Sequence, residues 1–504
     1  MKKVFIIQIT ILVIGFCYAC KTNEVPKKQS YVTISGTIKG NGGVRDSIRI
    51  LFGGLIPETK LFGTKDTTIY TGSNGTFLFK SKDIKEPTRI TIGSYKKRAG
   101  EKSQRWGDAL RNFLVEPGDN IHIEIDESKE EHVYEFSGTG SEKFKVQWQN
   151  FQSGYKVNRR EIQRRYGYKF AALSNKVQIA DSLSNIQIRA LETVKDSLSD
   201  RVFKIMKADI YGENGVYLKT FVSNMHVDTC STKQIQQYRK LFDESLNTNL
   251  PSDILASSPY YIMFLSNMAI AQLQLGDPEN PDYRYEHIHA KGFSDLCQIW
   301  RNQYSGMLRE KLLLYNLQSL NVQDTYGIEE CLQMSYDLIK TPELKAIIDT
   351  MYGRKIRGAT AFNFNLPNTE GNMVRLSDFK GKVVYLDIWF TGCSGCLYLA
   401  KEVDHQVYPL FKDNPDVVFV SISGDKSKDQ WLKSVESERY GLKEYVNLYT
   451  GGLGFKHDFT LYYGIKGGPT TMIIDREGRI YSSAPPKHGK SKELVALINE
   501  ALER

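Results

Sequence analysis

Two cysteines separated by two residues, Cys393 and Cys396, are the groups in this chain best suited to chemistry. Ahead of them Val383 to Phe390 is a nearly unbroken apolar run of strand length, rich in β-branched and aromatic types. It predicts a strand buried on both faces. After Thr391-Gly392 and the cysteines, Leu397, Leu399, Val403, Val407 and Leu410 recur at roughly helical spacing. Cys393 therefore falls where a strand hands over to a helix N-terminus, and unpaired N–H groups with the helix dipole favour an anion there. For a cysteine that anion is the thiolate, with pKa values lowered to roughly 3.5–7.5 in such settings. The spacing lets Cys396 reach back to Cys393, so that one thiol attacks a disulfide and the other resolves the mixed disulfide. Cys393, nearer the mouth of the turn, is the expected attacking thiol and Cys396 the resolving one. Half a zinc site is the competing reading, but it needs two more ligands at short spacing. The nearest downstream histidines, His405 and His457, stand singly.

Asp387 is the odd member of the strand, six residues before Cys393. A carboxylate in an apolar strand is desolvated, which raises its pKa and suits proton transfer near neutral pH. Its expected role is to take the proton from Cys396. The alternative is an ion pair with Lys382 at the strand end.

Val383 to Cys396 resembles the thioredoxin superfamily, and more closely the TlpA/ResA-like thiol-disulfide oxidoreductases of bacterial envelopes. Phe362 to Leu366, Gly371 and Val374 to Lys382 look like that family's opening strands. Gly467-Gly468-Pro469 leading into Thr470 to Asp475 looks like its cis-proline strand, and Arg476 to Arg479 like the hairpin that follows. The resemblance implies a cis Pro469 against the cysteine pair, with Gly468 and Trp389 in the substrate-contact set. It also implies a reducing role toward disulfides of exported proteins, including cytochrome c maturation factors, fed by an electron donor. No cofactor beyond the Cys393–Cys396 disulfide and no metal is implied. Three positions depart from the family pattern: Gly392 replaces a tryptophan, Gly395 a proline, and Gly468 a larger residue. Glycine is a permissive backbone and a poor helix former, so a looser active-site turn is expected.

The elements that must position this pair make a multidomain chain. At 504 residues two to four domains are expected. The net charge of +9 is scattered, with no basic run, which argues against a nucleic-acid partner. Residues 1–20 read as a targeting segment: Lys2 and Lys3, an apolar stretch Val4 to Phe16, then Tyr18-Ala19-Cys20. This resembles a bacterial lipoprotein signal with acylation at Cys20, which predicts a membrane-anchored envelope protein facing the periplasm; the alternative is an ordinary secretory signal with Cys20 incidental. Cys17 stands where leucine is usual. Residues 21–30 read as a tether. Residues 31–137 alternate in short runs and predict a β-sandwich-like module, with Asn74-Gly75 as a hairpin turn between Ile69-Tyr70 and Phe77-Leu78-Phe79. It resembles the N-terminal β module that precedes thioredoxin-like domains in Bacteroidetes-type lipoproteins. His122 in it is a structural residue. Residues 138–355 predict a helical region, with one long helical run from Asn158 to Ile210 and a helix start at Thr341-Pro342. Cys230, Cys297 and Cys331 lie there, and their pairing is not legible from spacing. His287 and His289 form no metal set by themselves. Residues 356–504 predict an α/β domain with a mixed sheet and helices on both faces.

Three other functions fit less well. A thiol peroxidase would not need the second cysteine so near. A tethered binding lipoprotein could use the domain as scaffold. A Cu(I) carrier would need His457 brought to the thiolates.

Overall fold

The computed structural model describes residues 30–39, 47–54, 65–96, 105–106, 110–126, 128, 133–156, 170–222, 233, 236–237, 240, 248–275, 292–319 and 328–504. The targeting segment with Cys20, residues 21–29 of the tether, Cys230, His287 and His289 lie outside the described residues. Among the described residues no helix is long and apolar enough to cross a membrane.

The N-terminal part is β-rich. Its strands are β1 (Thr33–Lys39), β2 (Ser47–Phe52), β3 (Lys65–Tyr70), β4 (Thr76–Lys80), β5 (Thr88–Lys96), β6 (Arg105–Trp106), β7 (Leu110–Val115), β8 (Asn120–Asp126) and β9 (Val133–Thr139). One sheet has the order β4-β1-β8-β9; the other runs β3-β2-β5-β6, with β7 also on β5. Alternation places Ile121, Ile123 and Ile125 of β8 inward, and they share one core with Ile48, Ile50, Ile90 and Phe113 of the other sheet. His122 points the other way and bonds Ser35 Oγ at 2.9 Å. The hairpin expected at Asn74-Gly75 does not form. β3 pairs with β2 and β4 pairs with β1, so the turn carries the chain from one sheet to the other. The turn chemistry is present, since Gly75 has φ +76°, but β4 buries Phe77 and Phe79 by pairing with β1, while the largely exposed β3 pairs with β2.

The centre is helical: α1 (Ser141–Lys156), α2 (Phe170–Glu192), α3 (Asp200–Val222), α4 (Ser252–Leu255), α5 (Pro259–Leu275), α6 (Gly292–Gln303), α7 (Gly306–Ser319), α8 (Ile328–Leu338) and α9 (Pro342–Lys355). The described part of the helical run to Ile210 is divided between α2 and α3. The Ser199 hydroxyl there accepts the Val202 N–H at 3.3 Å and starts a new helix. Ser258 does the same for α5, accepting from Tyr261 N at 3.0 Å with Pro259 in the first helical position. Trp300, Leu312, Leu313 and Ile348 are buried in the helical core. A disulfide joins Cys297 of α6 to Cys331 of α8.

The C-terminal part is built on a five-stranded mixed sheet. A short hairpin of β10 (Asn365–Pro367) and β11 (Met373–Arg375) precedes β12 (Val383–Trp389), α10 (Ser394–Gln406), β13 (Val417–Ser423), α11 (Lys428–Glu436), β14 (Val446–Tyr449), α12 (Asp458–Tyr463), β15 (Thr470–Ile474), β16 (Ile480–Ser482) and α13 (Ser491–Leu502). The order is β14-β13-β12-β15-β16, with β12, β13 and β14 parallel and the last two strands antiparallel. Val384, Leu386 and Ile388 face Phe459 and Tyr463 of α12. Val383 and Tyr385 face Leu399 and Val403 of α10 and Leu494 and Ile498 of α13. Every residue of β12 is buried, as a central strand covered on both sides requires. The cysteine pair lies past the C-terminal end of β12, where the chain leaves the core.

Candidate active site

β12 delivers the chain through Phe390-Thr391-Gly392 to Cys393, the N-cap of α10. The Cys396 N–H donates to Cys393 Sγ at 3.1 Å, which satisfies one of the helix's unpaired donors with sulfur. The two sulfurs are bonded, with Cα atoms 5.2 Å apart. Cys393 is 6% exposed and Cys396 1%. The less buried residue of the pair is the one at the helix N-terminus, where a thiolate is best supported.

The second wall is the loop before β15. The Gly468-Pro469 bond is cis. Cys393 Sγ lies 3.4 Å from the Gly468 carbonyl oxygen. A Cβ on residue 468 would come within 2.8 Å of the Ile388 carbonyl oxygen and 3.1 Å of Cys396 Sγ. Glycine is thus what lets this loop lie against the pair. Lys487, in the loop after β16, donates to the Pro469 carbonyl at 3.2 Å.

The turn ahead of Cys393 is fastened, contrary to the expectation of looseness. Gly392 has φ +94°, which glycine adopts without strain, and its N–H donates to Tyr440 Oη at 2.7 Å. The Thr391 N–H and hydroxyl donate to the two oxygens of Asp425 at 2.9 and 2.7 Å. Ser423 Oγ donates to the same carboxylate at 3.0 Å, and Ser434 Oγ lies 2.7 Å from the Thr391 hydroxyl. The backbone freedom introduced by Gly392 is removed by side chains from β13, α11 and the segment after it. Asp425 and Tyr440 carry no motif of their own. The one available signal is that Ser423-Gly424-Asp425 ends the parallel strand beside β12, and sites in such sheets gather at strand C-termini.

Trp389 differs from expectation. Its indole is 1% exposed, donates to Ser421 Oγ at 2.6 Å and stacks on Tyr440 with 4.7 Å between centroids. A ring so enclosed supports the turn from beneath and offers no surface to a substrate. Asp387 lies in β12 opposite Ser421 of β13 and Thr471 of β15, buried, on the face covered by α10. It is the first charge that holds the buried Tyr385 hydroxyl well above the ordinary tyrosine range, after burial itself. Farther along α10, burial pushes the Asp404 carboxyl up to about 6, against a hydrogen bond from Tyr445 Oη at 2.6 Å. His457 caps α12 by accepting the Phe459 N–H at 3.2 Å on Nδ1.

Residues 356–498 match the Redoxin family. Over 125 residues the chain is 32% identical to the thiol-disulfide oxidoreductase ResA of Bacillus thuringiensis subsp. konkukian, covering 24% of this chain and 66% of that one. Over 129 residues it is 32% identical to ResA of Bacillus subtilis, covering 24% and 64%. The chain thus spans just under two thirds of the length of these relatives. A solved structure of a thiol-disulfide oxidoreductase from Bacteroides vulgatus is 26% identical, covering 29% of this chain and 97% of that one, with a TM-score of 0.25.

Proposed function

We propose that this chain, whose C-terminal part is a TlpA/ResA-like domain of the thioredoxin family, is an envelope thiol-disulfide oxidoreductase that reduces disulfides of exported proteins. The observation that carries the reading is a bonded cysteine pair in which Cys393 caps α10 and faces the cis-proline loop. Starting from the dithiol, the Cys393 thiolate attacks one sulfur of a substrate disulfide and the other substrate sulfur leaves as thiolate. Cys396 then attacks Cys393, its proton passing to Asp387, and the substrate's second sulfur leaves. The substrate gains two electrons and the Cys393–Cys396 disulfide is left, to be reduced again by an electron donor. Gly468 and Pro469 form the wall along which a substrate backbone lies. Cytochrome c maturation factors are candidate partners, and acylation at Cys20 would anchor the chain at the periplasmic membrane surface. The Cys297–Cys331 disulfide fits an oxidising compartment.

Insulin reduction by purified protein tests the reading. Cys393→Ser is expected to lower the rate at least 100-fold, and Cys396→Ser to trap mixed disulfides. A Cys393→Ser protein as active as wild type would leave a binding scaffold as the function.

A further inference from the structure

We propose that Asp425 and Tyr440 are positioning residues that bias the Cys393–Cys396 pair toward the disulfide, making the dithiol a stronger reductant. The inference rests on the reading of the pair as an exchanging dithiol. Both residues act on the N–H groups of Thr391 and Gly392, the two residues before Cys393. Asp425, 5% exposed, is itself fixed at the end of β13, where its N–H donates to Ser423 Oγ at 3.1 Å. Its carboxylate then takes both donors of Thr391. Tyr440 lies flat on the buried Trp389, 2° from parallel, and presents its hydroxyl to the Gly392 N–H.

Two effects follow, with the same sign. Ring closure between the sulfurs costs conformational entropy, and a turn already held at residues 391 and 392 has less to lose. The tethers therefore favour the disulfide. The second effect is charge. Asp425 holds its carboxylate on Thr391, two residues before Cys393, and a like charge brought toward the sulfur disfavours the thiolate. A less stable thiolate means a less stable reduced form and a stronger reductant. Asp387 of β12 and Lys487 beside Pro469 are untouched by changes at 425 and 440.

The test is equilibration of the full chain with glutathione redox buffers, paired with the pH profile of Cys393 alkylation. Asp425→Asn keeps the shape, removes the charge and weakens the tether. It should shift the equilibrium at least tenfold toward the dithiol, about 30 mV, and lower the alkylation pKa of Cys393. Tyr440→Phe keeps the stack and removes only the hydroxyl. It should shift the equilibrium severalfold in the same direction and leave the alkylation pKa in place. Variants that melt at lower temperature but stay within twofold of wild type in the equilibrium, with an unmoved pKa for Asp425→Asn, would overturn the proposal. If Asp425→Asn does not fold, Tyr440→Phe and Thr391→Val decide, and both within twofold of wild type sinks it. A wild-type pair that never equilibrates with glutathione removes the parent reading and this one with it. A wild-type pair that equilibrates, beside unmoved variants, removes this one alone.

Discussion

Gly468 is the tightest position in the site. Any side chain there starts with a Cβ 2.8 Å from the Ile388 carbonyl and 3.1 Å from Cys396 Sγ. The carbonyl belongs to the central strand and cannot yield, so the loop must retreat from the sulfurs. Overpacking of this kind costs about 1–3 kcal/mol. Gly468→Val is expected to lose that much in denaturant unfolding and to exchange more slowly with a model disulfide. Equal stability and rate would show that the loop has slack. The cysteines could be read from the sequence because their chemistry is local: two residues of spacing and one strand-to-helix junction. The glycines were visible as departures, but their consequence was not. What restrains residues 391 and 392 comes from 34 and 48 residues farther along the chain. Spacing carries no trace of such contacts. Trp389, which the resemblance puts in the substrate-contact set, is enclosed by a partner, Tyr440, that likewise lies far along the chain.

Among the elements, α10 joins the chemistry to the core. The spacing of Leu399, Val403 and Val407 correctly gave its buried face. The same pattern was carried too far to Leu410. The helix stops at Gln406 because Pro409 cannot supply an N–H, and Tyr408–Leu410 turns as a 3-10 segment with Leu410 exposed. Asp404 on this helix was not singled out from the sequence, because only burial under Tyr445 makes it unusual. Burial lifts its carboxyl to about 6, above the usual aspartate value. The folded protein thus holds this proton more tightly than the unfolded chain. Its contribution favours folding at low pH and is lost as pH rises through about 6. Asp404→Asn, which keeps an acceptor for Tyr445, should flatten the fall in melting temperature between roughly pH 4 and pH 7. The expected difference in stability at neutral pH is on the order of 1 kcal/mol, after allowance for the partial exposure of the group. Parallel profiles for the two proteins would place the pH dependence elsewhere.

Across the whole molecule, the three parts are joined by polar groups as well as by shared apolar surface, such as Leu114 of β7 packed among Val146, Ile188 and Val202 of the helices. Glu329 of α8 accepts from the Ser482 hydroxyl and the Ser483 N–H at 2.9 and 2.6 Å, tying the helices to β16. Two residues along α8, Cys331 closes a loop of 34 residues with Cys297, and replacing both cysteines by serine should cost about 3–4 kcal/mol on loop entropy. At the other end Arg89 of β5 meets Asp209 of α3 through two hydrogen bonds of 2.7 and 2.9 Å. Arg89 also donates to the Ser257 carbonyl, and Ser258 Oγ donates to Asp209 at 2.7 Å. Composition could suggest a β region and a helical region, but not this buried pair, whose members stand 120 residues apart. Burial pushes the Asp209 carboxyl up, and the guanidinium is the main charge pulling it back. Arg89→Met leaves the carboxylate buried without its cation, which costs about 3–5 kcal/mol when a buried pair is broken. It also raises the folded-state affinity of Asp209 for a proton, so the loss should be smallest at low pH and grow as pH rises. Arg89→Met with Asp209→Leu removes both charges and should recover most of the stability at neutral pH. Urea unfolding followed at pH 5 and pH 8 separates the outcomes. A single variant equally unstable at both pH values, or a double variant no better than the single, would mean that packing at this junction, and not the charge pair, holds the β-rich part to the helices.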